Sequence, residues 1–266
     1  MNSIDFALLR FCLEHNDSPN LQETKIERDP KDYEWLKNVF NSLPSVAKQI
    51  AKCMDTIAND TDESNKILAL EELLDMVDDI DIANDLAKAG LGEIAKAMVY
   101  QLGQNHENAI KIREQACWVM STLAQNNPYC QNELLKQGVL PIVAQLYQSE
   151  THPKVQQKIL SIVSAMARDF PEGLGFFAKE ENKEKLCAKL LEHVNSPEAQ
   201  LQVKAIVVIK HLCSSPLIKK SLIDQGAIEL LCQLASGNAS DESLVEMING
   251  TLEALRSQGD VLLLCN

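Results

Sequence analysis

The chain has 266 residues, 45% of them hydrophobic, enough to bury a substantial core as one large domain or an elongated array. Ten glycines, nine prolines and 5% aromatics leave helix-forming residues dominant, and no alternating β-branched run or Asn-Gly hairpin signal interrupts them, so the chain reads as all-α. A formal net charge of -13, with Ile218-Lys219-Lys220 as the longest basic cluster, argues against nucleic acid and anionic membranes and points to a partner presenting Lys or Arg.

In chain order, residues 1–30 read as a short leading helix followed by a polar linker, "NDSPNLQETKIERDP" at 16–30. The stretch "FALLRFCL" is too short to span a bilayer, and Arg10 interrupts the apolar run that a secretory signal needs. An armadillo-like domain is expected over 31–266. It begins with a helical pair, "DYEWLKNVF" and "PSVAKQIAKCMDTIA", the second opened by Pro44. Eight scattered cysteines without a C-x-x-C pair fit a reduced, cytosolic setting, where buried thiols act as small hydrophobes. The sequons at Asn16, Asn59 and Asn238 are then inert.

From residue 64 the sequence repeats a pattern: a long helix, a polar break, a short helix, an exit and a further apolar helix. The exits fall at Gly90, Gly138, Asn182 and Gly226, with intervals of 48, 44 and 44. Gly or Asn at such points suits a left-handed helix cap. A period in the forties with three helices per unit is the signature of armadillo-like stacking, which implies a right-handed superhelix with a concave groove. The units run about 64–102, 106–149, 153–194 and 197–236, and 241–257 is the long helix of a closing cap.

Several stretches imitate chemistry. Asp60 to Glu71 matches parts of a calcium loop, but Asn65 stands where the sharp-turn Gly belongs, and a capped helix N-terminus explains the same letters. "SVAK" at 45–48 imitates an acyl-transfer nucleophile without its partner motifs. The acid-rich "EELLDMVDDIDIAND" is a solvated helix face running into a turn. The five histidines show no ligand spacing, and no phosphate-cradling glycine loop occurs. No enzymatic activity, metal or cofactor is expected.

In the second unit Ala116, Met120 and Leu123 share one helix face, while Trp118, Thr122 and Gln125 form a stripe roughly opposite. The long helices' outer stripe is expected to line the groove, with packing against the neighbouring unit as the other reading for Trp118. A shift of 44 extends the stripe to Ile162 and Met166, then Ile206 and Lys210. The same shift sets Arg168 in a column with Ala124 and Leu212, where it either satisfies helix-end carbonyls or reads a carboxylate.

"ALEELLDMVDDIDIANDLAKAG", "ACWVMSTLAQNNPYCQNELLKQG" and "VQQKILSIVSAMARDFPEG" resemble, in order and spacing, the armadillo-type nucleotide-exchange factors of the seventy-kilodalton heat-shock chaperone, over about residues 31–250. The resemblance implies a monomeric cytosolic co-chaperone that clasps one lobe of the chaperone's ATPase domain in its concave face and promotes ADP release. Ala83 in "DIAND" and Arg168 in "MARDFPEG" match positions associated with gripping that lobe. Asp81 and Asn84 flank the first, while Trp118, Thr122 and Lys210 join the site on periodicity alone. The chain departs from the family at "KEENKE", where the third exit lacks Gly. It also stops at Asn266, which implies a shorter C-terminal clasp. The rival reading is an armadillo adaptor for extended peptides. Those grooves repeat a Trp with an Asn four residues later, whereas here one Trp is followed by Thr122.

Overall fold

Residues 45–257 are described by a computed structural model, and among them every regular element is an α-helix. The leading helix, the linker, "DYEWLKNVF", Cys12, Asn16 and Cys265 lie outside the described residues. The chain divides after Gln49 into two units, and the helical array belongs to the second.

Helix starts are written in cap chemistry. In α1 (Val46–Asn59) the Ser45 hydroxyl accepts from the Lys48 amide, which accounts for "SVAK" as a helix start. Asp62 caps α2 (Glu63–Met76) through the Ser64 amide. This helix runs through the calcium-like letters, so they form no twelve-residue loop. Asp79 accepts from Asp81 and Ile82 to start α3 (Ile80–Ala89), and α4 (Gly92–Met98) completes the triplet. The acid-rich stretch is thus a helix end plus a cap.

The next triplet is α5 (Glu107–Ala124), α6 (Pro128–Lys136) and α7 (Val139–Ser149). It is followed by α8 (Pro153–Ala167), α9 (Pro171–Phe177) and α10 (Glu180–Val194). Then come α11 (Ala199–Leu212), α12 (Pro216–Asp224) and α13 (Ala227–Gly237), and α14 (Glu242–Arg256) closes the described array. Four of these helices begin at a proline, where the missing N–H costs nothing.

The long helices pack in succession, α2 on α5, α5 on α8, α8 on α11 and α11 on α14. One apolar cluster runs through them, including the fully buried Ala116, Met120 and Leu123 on the face expected to be core. Buried Cys117, Cys130 and Cys187 pack in it as small hydrophobes, with burial pushing the Cys130 and Cys187 thiols up to about 11.

Polar stitches join successive triplets. Gln137 donates to the Ala87 carbonyl at 3.0 Å and accepts from the Leu91 amide at 2.8 Å. Gln131 donates to the Ala165 carbonyl at 2.9 Å. Deeper in, Arg113 and Glu150 (0% and 1% exposed) pair at 2.7 Å. Arg113 also donates to the Tyr100 and Gln104 carbonyls, tying the loop before α5 to the start of α8. Burial pushes the Glu150 carboxyl up, but Arg113 and the His152 and Thr151 amides outweigh it and hold the group ionised.

The exits follow the expected chemistry at three places. Gly138 and Gly226 take the left-handed conformation before α7 and α13 (φ 72° and 86°), and Gly90 has φ 113°. The third exit, expected at Asn182, is a correction. Asn182 sits inside α10, where its side chain donates to the Phe176 carbonyl, and the break falls at Lys179 in extended backbone. An extended residue needs no glycine, which explains why "KEENKE" manages without one.

Candidate partner-binding face

Two long helices end with the same turn. Gln125 closes α5 in extended backbone, Asn126 turns left-handed at φ 55°, and Asn127 caps α6 ahead of Pro128. Arg168 closes α8 likewise, Asp169 turns at φ 57°, and Phe170 precedes Pro171. The two turns are therefore equivalent with a spacing of 43 residues, Pro128 to Pro171, and not the 44 read from the exits.

One residue is 100° around a helix, enough to exchange faces. Ile162, Met166 and Ile206, expected on the groove stripe, are fully buried core. The outward residues facing Trp118, Thr122 and Gln125 are Ser161, Ala165 and Arg168 on α8, and Lys204, Val207 and His211 on α11. Arg168 is thus no intruder in an apolar column. It occupies the position of Gln125, and its guanidinium donates to the Asn126 side chain, joining the two turns.

Trp118 is 40% exposed and stands out from the core, which settles its orientation. Its ring face is already covered, because Lys158 Nζ lies 3.2 Å from the ring centroid. Trp118, Lys158, Arg168 and Lys204 line a groove of about 310 Å³ between α5, α8 and α11. Burial lowers the pKa of Lys158 and of Lys204, with Glu114 opposing the shift at Lys158 and Lys204 adding to it. His211 hydrogen-bonds Ser164 at 2.8 Å and is also pushed down, by burial and then by Arg168.

A second depression, about 400 Å³, adjoins the first through Thr122 and Gln125. Val77, Asp78, Ile80, Ala83, Asn126 and Asn127 complete its lining. Ile80 is 59% exposed at its edge, whereas Ala83 is buried in its wall. Asn84 is half-buried and occupied, accepting from Asn127 at 3.0 Å, so it braces α3 against α6. Asp81 is exposed on the first turn of α3. Lys210 is exposed beside Gly250 of α14 and lines neither depression.

The structure thus brings Ala83, Thr122, Trp118 and Arg168 along one continuous surface, with Asn84 bracing it. The net charge of -13 suggested a partner with Lys or Arg, yet the groove between α5, α8 and α11 is locally cationic. Lys158 and Lys204, absent from the sequence reading, are its main cations. Aligning "NNP" with "DFP" in place of the exit glycines would have exposed the α8 positions.

These features define a class: an all-α superhelix of armadillo-like repeats with two adjoining depressions along its long helices. Solved structures agree on the fold. A designed armadillo repeat protein in complex with the peptide (KR)4 is 16% identical, with a TM-score of 0.62 over 85% of this chain and 95% of that one. A computationally designed armadillo repeat protein for modular peptide recognition is 17% identical, with a TM-score of 0.63 over 84% and 94%.

The sequence relatives are narrower. Residues 6–86 match the family model of the nucleotide exchange factor Fes1, a span that includes Asp81, Ala83 and Asn84. An Hsp70 nucleotide exchange factor FES1 of Coccidioides immitis is 24% identical over 173 residues, 63% of this chain and 79% of its own. Another, of Gibberella zeae, is 26% identical over 185 residues, 66% and 82%. The resemblance read from the sequence is shown: this chain is similar to the Fes1 nucleotide exchange factors, on an armadillo-repeat fold. No described helix is long and apolar enough to cross a membrane.

Proposed function

We propose that this protein is a nucleotide exchange factor for a seventy-kilodalton heat-shock chaperone, acting as a cytosolic monomer through an armadillo-like array over 31–266. It grips the chaperone's ATPase domain with the face lined by Ala83, Thr122, Trp118 and Arg168. Asn84 supports that face, and Asp81 and Lys210 extend it. The match of residues 6–86 to the Fes1 exchange-factor model carries the reading, because that segment supplies one wall of the second depression, Val77, Asp78, Ile80 and Ala83.

The mechanism is linkage and requires no bond chemistry from this chain. A factor that binds the open ATPase domain better than the nucleotide-closed one shifts the population towards the open form and so speeds ADP release. A thousandfold effect requires about 4 kcal/mol of differential contact, within reach of a surface spanning three triplets. The rival, an armadillo adaptor binding extended peptides or scaffolding protein complexes, is disfavoured because Trp118 is followed by Thr122 where such grooves repeat an Asn. Basic peptides are further disfavoured by Lys158, Lys204 and Arg168 lining the groove. The test is stopped-flow release of fluorescent ADP from the purified chaperone. Acceleration by this protein at micromolar concentration is expected, and its absence overturns the reading.

A further inference from the structure

The chain carries 38 acidic residues against 25 basic ones, yet the groove between α5, α8 and α11 draws its charged residues from the minority. Among the described residues neither Lys158 nor Lys204 has a carboxylate within salt-bridge distance. Both lysines are half-buried and partly desolvated, and burial outweighs the one carboxylate acting on them, Glu114 at Lys158. Lys158 is also fixed, its ammonium held over the Trp118 ring at 3.2 Å. Arg168 stands at the end of the same groove with its guanidinium steadied by Asn126. Clustered, preorganised cations that form no salt bridge among the described residues are complementary to an external anion.

We propose that this groove is a carboxylate-reading site that receives an acidic segment of the partner, with Lys158 and Lys204 as its principal contacts and Trp118 as the residue that positions Lys158. The inference rests on the reading of this face as the chaperone-facing surface, and it deepens that reading by naming the chemistry of the segment bound. An Asp/Glu segment fits better than a nucleic acid. The cationic stretch is short, and the rest of a -13 chain repels any polyanion long enough to leave it.

The test uses the full-length protein with two probes, a fluorescent oligoglutamate peptide and the purified ATPase domain, at low and at physiological ionic strength. Wild type is expected to bind both, more weakly as salt rises. The Lys158→Gln/Lys204→Gln protein should bind both about tenfold more weakly with a flatter salt dependence, and its melting temperature should not fall. Trp118→Leu should weaken binding in the wild-type background and add little in the Lys158→Gln background, as expected of a residue acting through that lysine. No oligoglutamate binding, or equal binding by the double variant, overturns the inference even where the ATPase domain still binds. Loss of the peptide in the double variant, with no ATPase-domain binding by wild type, supports the groove chemistry and overturns the chaperone reading instead. Single-stranded RNA binding as tightly as oligoglutamate overturns the assignment to an acidic protein segment.

Discussion

His193 is 4% exposed, lies in the last turn of α10 and hydrogen-bonds Tyr147 of α7 at 2.9 Å, the rings meeting edge to face. Burial, and then Lys189, lowers its pKa from 6.5 to about 4. The unfolded chain therefore takes up the proton first as pH falls. The stability due to the neutral ring is complete above about 6.5 and is lost progressively between there and about 4. Between pH 7 and pH 5 this one group should remove roughly 2 kcal/mol, about 1.4 kcal/mol being a tenfold change in an equilibrium. Urea unfolding of His193→Gln at both pH values checks it. The variant should be less stable at pH 7, having lost its fit to Tyr147, but its decline on acidification should be smaller than that of wild type by most of that amount. An unchanged decline would place the acid sensitivity elsewhere.

Helices are where the sequence was most readable, because the signals are local. Asp62, Asp79, Asn127, Ser215 and Asp241 each cap a helix start with the side chain that their identity suggests, and four prolines stand at first turns. The groove was less readable, because it depends on register between helices far apart in the chain. The third helices run from 7 residues in α4 to 15 in α10, so exits are poor rulers, and the misplaced exit at Asn182 went with a one-residue slip that put Ile162 and Met166 on the wrong face. Two of the cations were illegible for a related reason. Lys158 and Lys204 stand alone in the sequence, and only the packing of α8 against α11 assembles them with Arg168.

The same α8 end holds a sharper constraint. A Cβ at Gly173 in α9 would lie 2.2 Å from the Met166 carbonyl oxygen and 2.7 Å from the Phe170 ring, whereas one at Gly175 meets nothing within 4 Å. Gly173→Ala must therefore push α9 off the end of α8, at a cost of about 2–4 kcal/mol. Gly175→Ala in the same helix should be neutral or stabilising by up to about 1 kcal/mol. Thermal melts of the pair separate a steric effect from a helix-propensity effect, and equal melting temperatures would contradict the close approach.

At the scale of the whole molecule, each triplet packs chiefly on its neighbours, so the long-helix face is a surface held in shape by nearest-neighbour contacts. Such a surface can discriminate between two states of a partner only by fitting one of them better, since equal affinity for both shifts nothing. Under the proposed activity the discrimination is between open and nucleotide-closed ATPase domain, and it must be reciprocal. ADP should weaken this protein's binding to the chaperone by the same factor by which this protein weakens ADP. Calorimetric titrations around the four-sided cycle (chaperone alone, with ADP, with this protein, with both) give that factor twice. A coupling of at least about tenfold, or roughly 1.4 kcal/mol, is expected from both routes. Tight binding that ADP leaves unchanged would make this protein a chaperone ligand without exchange activity. A salt dependence confined to the binding step, with the coupling factor unaffected, would assign the cationic groove to recognition and the Ile80–Ala83 depression to discrimination between the two states.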